Sequence, residues 1–194
     1  MKKILFITGN LNKLIEARLL LPEFQIDNYS IKLPETQGTR KEIIVNKAKY
    51  ASKVLKRPLI VEDTSLCFTA LNGLPGPYIK DFLKNIGNTK LHRILQGFKD
   101  YRAKAVCSIG YIEPNNEPKI FEGITHGKIV KPKGRKDFGW SPIFKPNGEK
   151  KTYGEMEKIE KNKSSFRKKS FKKLHDYLLK KSWKQLIKYI FWTL

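Results

Sequence analysis

The chain has 194 residues, 40% of them hydrophobic and 30% charged, enough apolar content for one folded domain or two small lobes on a shared sheet. Its formal net charge is +22, yet only seven of its 40 basic residues are arginine (18, 40, 57, 93, 102, 135 and 167). Lysine is a point charge, not the planar fork that reads base edges, so the excess argues weakly for polyanion affinity and against sequence-specific nucleic-acid recognition.

Cys67 and Cys107 lie far apart in apolar surroundings, with neither zinc spacing nor a disulfide framework, and His92, His126 and His175 are scattered. A reducing cytoplasm is expected, and no histidine-based metal site. The short apolar run at the start is broken by Thr8-Gly9-Asn10, well short of a signal-peptide core, and no stretch is long enough to span a bilayer.

Taken in order, residues 3–7 read as a buried strand. Thr8-Gly9-Asn10 then turns into a helix whose apolar residues Leu14, Ala17 and Leu21 recur at helical spacing, with Lys13 one turn in. Strand, glycine turn and helix aim backbone N–H groups at an anion, although the pattern is neither a Walker loop nor a dinucleotide fingerprint. A second strand covers 26–33 and ends in Pro34-Glu35-Thr36-Gln37-Gly38, which leaves Glu35 on a loop. Residues 41–54 have helical periodicity, with Lys47 on one side.

The central stretch is 59–80. A β-branched run, Leu59-Ile60-Val61, meets the adjacent carboxylates Glu62 and Asp63, then Thr64. It reads as a strand whose end opens into a polar site, and if the strand continues the two carboxylates face opposite ways. Gly73-Leu74-Pro75-Gly76-Pro77 makes a stiff turn that presents Lys80. Acid and base across such a loop suit Mg²⁺ and phosphate together. Residues 81–98 read as a helix, and 103–112 with 119–130 as an antiparallel pair.

Phe138-Gly139-Trp140-Ser141 could offer a flat slot for a nucleobase or could be core aromatics. Lys161 through Arg167 opens a helix with Ser164 or Ser165 as its N-cap and Phe171, Leu174 and Leu178 as its buried stripe. Beyond the domain expected over 1–182, residues 183–194 form a basic, amphipathic extension, expected to be helical and to pack on the protein's own surface.

These pieces, in this order, resemble the inosine triphosphate pyrophosphatase family, and most closely its eukaryotic members. The carrying residues are Thr8-Gly9-Asn10 with Lys13, Leu33-Pro34-Glu35 with Gln37-Gly38, Val61 to Thr64, Gly73 to Lys80, Phe138-Gly139-Trp140, and Glu160-Lys161-Asn162 with Ser165 and Arg167. The resemblance implies an α/β fold: an elongated, two-lobed subunit on a long mixed sheet with flanking helices, the active cleft between the lobes, and two subunits forming a homodimer. It implies hydrolysis of deaminated purine nucleoside triphosphates (ITP, dITP, XTP) to monophosphate and pyrophosphate, with Mg²⁺ or Mn²⁺ as cofactor. Glu35 and Asp63 are then expected at the metal, and Lys13, Lys47, Lys80 and Lys161 at the triphosphate beside Thr8, Gly9, Asn10 and Thr64. Glu62 or Asp63 would orient the attacking water. The base would stack on Phe138 by Gly139 and Trp140, and Arg167 would donate to its 6-oxo group.

Two positions depart from the family pattern. Ser141 stands where the family has Asp, and Phe166 where it usually has His. Both lie on the side implied to hold the base, so base preference is where this chain is expected to differ. The competing class is a basic nucleic-acid-binding module on the same scaffold; the carboxylates retained in its groove would repel a polyanion.

Overall fold

A computed structural model of the chain describes residues 3–135 and 139–192, with side chains described up to Trp183. Seven strands, β1 (Lys3–Ile7), β2 (Gln25–Tyr29), β3 (Leu59–Phe68), β4 (Pro75–Gly76), β5 (Arg102–Ile112), β6 (Lys119–Ile129) and β7 (Phe144–Pro146), form one mixed sheet; six follow the order β2-β1-β3-β5-β6-β7, and β4 pairs with β3 off this path. Five helices flank it: α1 (Leu11–Leu20), α2 (Arg40–Leu55), α3 (Ile79–Ile94), α4 (Lys158–Lys163) and α5 (Phe166–Trp192). None of them, over the described residues, is long and apolar enough to cross a membrane.

Local chemistry sets the helix starts. The Asn10 side chain accepts from the amides of Asn12 and Lys13, Thr39 and Glu42 form a capping box on α2, and the Ser165 hydroxyl accepts from the Lys168 amide. The last bond settles the N-cap of α5 as Ser165. Helix α5 runs as backbone through Trp192, past the end of the expected domain. Helix α3 begins two residues before its expected start and is kinked at Gly87, whose φ of 68° no helix interior contains.

Alternation along the strands divides the core. Ile60, Leu66 and Phe68 of β3, with Ala105, Cys107 and Ile109 of β5, pack with α1, α3 and α5 on one face, while Leu59 and Val61 pack with Ile44, Ala48 and Ala51 of α2 on the other. Gly123 lets α5 approach β6 closely: a Cβ there would fall 1.9 Å from the Phe166 carbonyl oxygen. The ammonium groups of Lys169 and Lys173 then bond the carbonyls of Ile124 and Glu122 on β6.

Strand β3 does not end at Glu62-Asp63, as the sequence suggests, but runs on to Phe68. Its antiparallel partner β5 pairs with it from Leu59 through Phe68, which holds the polar residues in extended conformation. On its other edge β1 pairs only as far as Val61, and β4 begins only at Leu66. The edge between them, residues 62–65, faces no strand. This interruption in the sheet is where the cleft forms.

Candidate active site

A cleft of about 690 Å³ opens at the gap in the sheet. The N-terminus of α1 brings Asn10 and Lys13, the loop after β2 brings Glu35, α2 brings Lys47, and the start of α3 brings Lys80. Glu62, Asp63 and Thr64 come from the strand itself, and Gly139 and Trp140 close the side away from α2.

The two adjacent carboxylates face opposite sides of the sheet. Glu62, 1% exposed, meets Lys13 Nζ at 3.1 Å and the Nε and Nη2 of Arg167 at 3.0–3.2 Å, while Arg167 Nη1 donates to Glu16 at 2.7 Å. Burial alone would raise the Glu62 carboxyl, but the charges of Lys13 and Arg167 outweigh it and bring it down to about 2. A carboxylate so committed is a poor proton acceptor. Of the two candidates for orienting water, Asp63 is the one still 16% exposed; its Oδ1 accepts from Lys47, and Oδ2 has no hydrogen-bond partner among the described residues.

Glu35 is exposed and has neither ion pair nor hydrogen bond among the described residues, in a chain with a net charge of +22. Two hard carboxylates on one cleft, with three ammonium groups beside them, fit Mg²⁺, which keeps several waters and takes its remaining oxygens from phosphate. No cluster of three or more His, Cys, Asp or Glu occurs among the described residues, so an all-protein cage is not part of that fit.

Other expected residues have partners of their own, Asn10 and Trp140 while lining the cleft. The Thr8 hydroxyl accepts from the Asn10 amide, and the Asn10 carbonyl oxygen caps α1, so these two shape the turn; Gly9 sits with them, near Ser30. Lys161 does not line the cleft with Lys13, Lys47 and Lys80. The short helix α4 turns its ammonium onto Ser141 Oγ, at 3.2 Å, and over the Tyr153 ring. Arg167, expected at the base, has its guanidinium on Glu62 and Glu16, because charged acceptors outbid a neutral carbonyl for a buried guanidinium. Phe166 and Trp140, 4% and 3% exposed, pack at 5.6 Å between ring centroids beside Phe144 and Tyr153. Ser141 is buried behind them. The expected stacking residue Phe138 lies outside the described residues.

Sequence reading missed Glu16 and Tyr78. The first was legible in principle, since it lies three residues after Lys13 on one helix face.

The profile of the Ham1 family matches residues 4–177. The chain belongs to that family. A relative from Podospora anserina named inosine triphosphate pyrophosphatase is 49% identical, covering 90% of this chain and 93% of its own. One of the same name from Candida albicans is 46% identical, covering 92% and 99%. Among solved structures, the Ham1 protein of Staphylococcus aureus superposes with a TM-score of 0.83 at 28% identity, over 93% of this chain and all of its own. The mixed sheet with its flanking helices is thus the fold of solved Ham1 proteins.

Proposed function

We propose that this Ham1-family chain is a nucleoside triphosphate pyrophosphatase that hydrolyses ITP, dITP and XTP to the monophosphate and pyrophosphate, clearing deaminated purines from the nucleotide pool. The observation that carries this reading is the unpaired Glu35 on the same cleft as Asp63, Lys13, Lys47 and Lys80, in a chain close in sequence to proteins named for that activity.

Release of pyrophosphate means that the anhydride between the α- and β-phosphates breaks; with water attacking the α-phosphorus, charge builds on the departing β- and γ-phosphates. Phosphoryl transfer needs mainly positioning and charge neutralisation, and Lys13, Lys47 and Lys80 supply the cations for the leaving group. Thr8, Gly9, Asn10 and Thr64 frame the phosphates with backbone and side-chain donors. Asp63 orients the water, with Lys47 fixing its carboxylate. Glu35 and Asp63 would hold Mg²⁺, or Mn²⁺ in its place, which when bound neutralises phosphate charge. Phe138, Gly139 and Trp140 take the base, with Ser141, Lys161, Phe166 and Arg167 behind them.

The subunit is proposed to act as a homodimer in the cytoplasm. Two buried thiols left unpaired support that compartment. Residues 183–194 are proposed as an extension to the catalytic domain of 1–182.

The test is incubation with ITP and Mg²⁺, followed by assay of pyrophosphate and orthophosphate separately. Pyrophosphate alone is expected. Orthophosphate, or no turnover with tight binding of RNA, would replace this reading with another hydrolase or with the basic binding module. A panel of nucleoside triphosphates ranked by kcat/KM then tests base preference, which the buried Ser141 and Phe166 are expected to relax.

A further inference from the structure

Glu35 has no bond of its own, so its position depends on its loop. Between residues 31 and 38 that loop makes hydrogen bonds to another element, among the described residues, at one place. The Gly38 amide donates to the Tyr78 hydroxyl at 2.9 Å, and the same hydroxyl donates back to the Gly38 carbonyl at 3.3 Å. The Tyr78 oxygen thus closes both polar groups of one backbone residue.

Each end of this pair is fixed independently. Gly38 precedes the capping box of α2, in which Glu42 Oε2 accepts from the Thr39 amide at 2.7 Å. Its φ of +146°, and a Glu42 oxygen 2.8 Å from where a Cβ would stand, reserve the position for glycine. Tyr78 is the N-cap of α3, and its carbonyl accepts from the amides of Asp81 and Phe82. Gly38 follows Glu35 by three positions, and Lys80 follows Tyr78 by two. Pro77 and Tyr78 also line both the cleft and a neighbouring hollow of about 940 Å³, so the pair is part of the wall between them.

We infer that Tyr78 is a positioning residue: its hydroxyl clasps Gly38 to hold Glu35 at metal-binding distance across the cleft from Lys80. The inference rests on the reading of Glu35 as a metal ligand. Residues that orient a ligand without touching the metal typically change metal affinity by 10- to 100-fold, and the clasp acts at three residues' remove.

Mn²⁺ alone is the probe, titrated by electron paramagnetic resonance into the wild type, Tyr78→Phe and Glu35→Gln. Tyr78→Phe retains the ring and removes the hydroxyl. It is expected to weaken Mn²⁺ binding about tenfold, to raise the Mg²⁺ concentration for half-maximal turnover in parallel, and to leave kcat at saturating Mg²⁺ close to wild type. Glu35→Gln is expected to abolish the Mn²⁺ signal change. A tyrosine with a merely structural role would lower Tm and leave Mn²⁺ affinity unchanged; that result, with Glu35→Gln defective, overturns this inference alone. Wild-type Mn²⁺ affinity in Glu35→Gln overturns the ligand reading and the clasp with it.

Discussion

Glu62 and Asp63 are adjacent in β3 and meet cations from different helices on opposite faces of the sheet: Glu62 those of α1 and α5, Asp63 that of α2. Neighbours in sequence therefore have different duties. Glu62 ties three elements together beneath the cleft, and Asp63 faces into it.

The buried pair predicts how stability responds to acid. The Glu62 carboxyl sits at about 2 in the folded protein against 4.5 unfolded. Its ionised form therefore stabilises the fold above pH 4.5, and that contribution disappears as the pH falls from 4.5 through about 2. The shift corresponds to about 3 kcal/mol. Glu62→Gln leaves Arg167 and Lys13 without their shared counter-charge and is expected to cost about 3–5 kcal/mol at pH 7. Urea unfolding of both proteins across this window should show a steep acid loss in the wild type and a shallower one in the variant. Equal slopes would assign the acid sensitivity to other carboxylates.

Activity and stability should separate along the row of lysines. Lys80 has no ion pair among the described residues, whereas Lys13 supports Glu62. Lys80→Ala is expected to cost about 2–4 kcal/mol of transition-state binding, roughly 30- to 1,000-fold in kcat/KM, with Tm unchanged. Lys13→Ala should lower both. Asp63→Asn should also retain Tm while losing turnover. Normal Mg²⁺-dependent turnover in Asp63→Asn would remove the central mechanistic claim.

Gly123 predicts a third behaviour. A methyl group there would collide with the backbone of α5 at Phe166 and Ser170, and a helix end cannot move aside as a flexible side chain can. Overpacking usually costs about 1–3 kcal/mol, and a backbone collision belongs at the upper end. Because α5 carries Arg167, Gly123→Ala should lower Tm and weaken the Arg167–Glu62 contact together. An unchanged Tm would show that α5 approaches β6 less closely than described.

Periodicity and turn chemistry make β1, β5, β6, most of the helices and the Asn10 turn legible in the sequence, whereas β2 stops at Tyr29, short of the strand expected over 26–33, and β4 and β7 are too short to carry a period. The continuation of β3 past Glu62 is not, since it depends on the register with a distant strand, Asp63 pairing with Ser108 and Phe68 with Ala103 of β5. The resemblance places Arg167 at the base; its carboxylate partners, 105 and 151 residues distant, are not legible beside it, because only the packing of α5 across α1 and β3 creates the pairing. The resemblance groups Lys161 with the phosphate lysines; its contact with Ser141, 20 residues away, depends on how α4 packs and is not legible in the local sequence. Local signals carry local structure, and the site is assembled from contacts that are not local.

Base preference is the property on which this chain should differ most from its family pattern. Ser141 offers Lys161 a neutral oxygen at 3.2 Å where a carboxylate would give an ion pair, and Phe166 fills the aromatic cluster with a ring that donates no hydrogen bond. With the base placed as proposed, both changes remove polar partners from its edge, and discrimination rests on such partners being left unsatisfied by the wrong substrate. The wild type should therefore separate ITP from GTP poorly. Ser141→Asp places a carboxylate within reach of Lys161, and Phe166→His restores a donor beside Trp140. The double variant is expected to raise the ratio of kcat/KM for ITP over GTP, by roughly tenfold for about 1.4 kcal/mol of regained differential binding. The measurement is the full nucleotide panel on both proteins at saturating Mg²⁺. An unchanged ranking would place base selection on other residues.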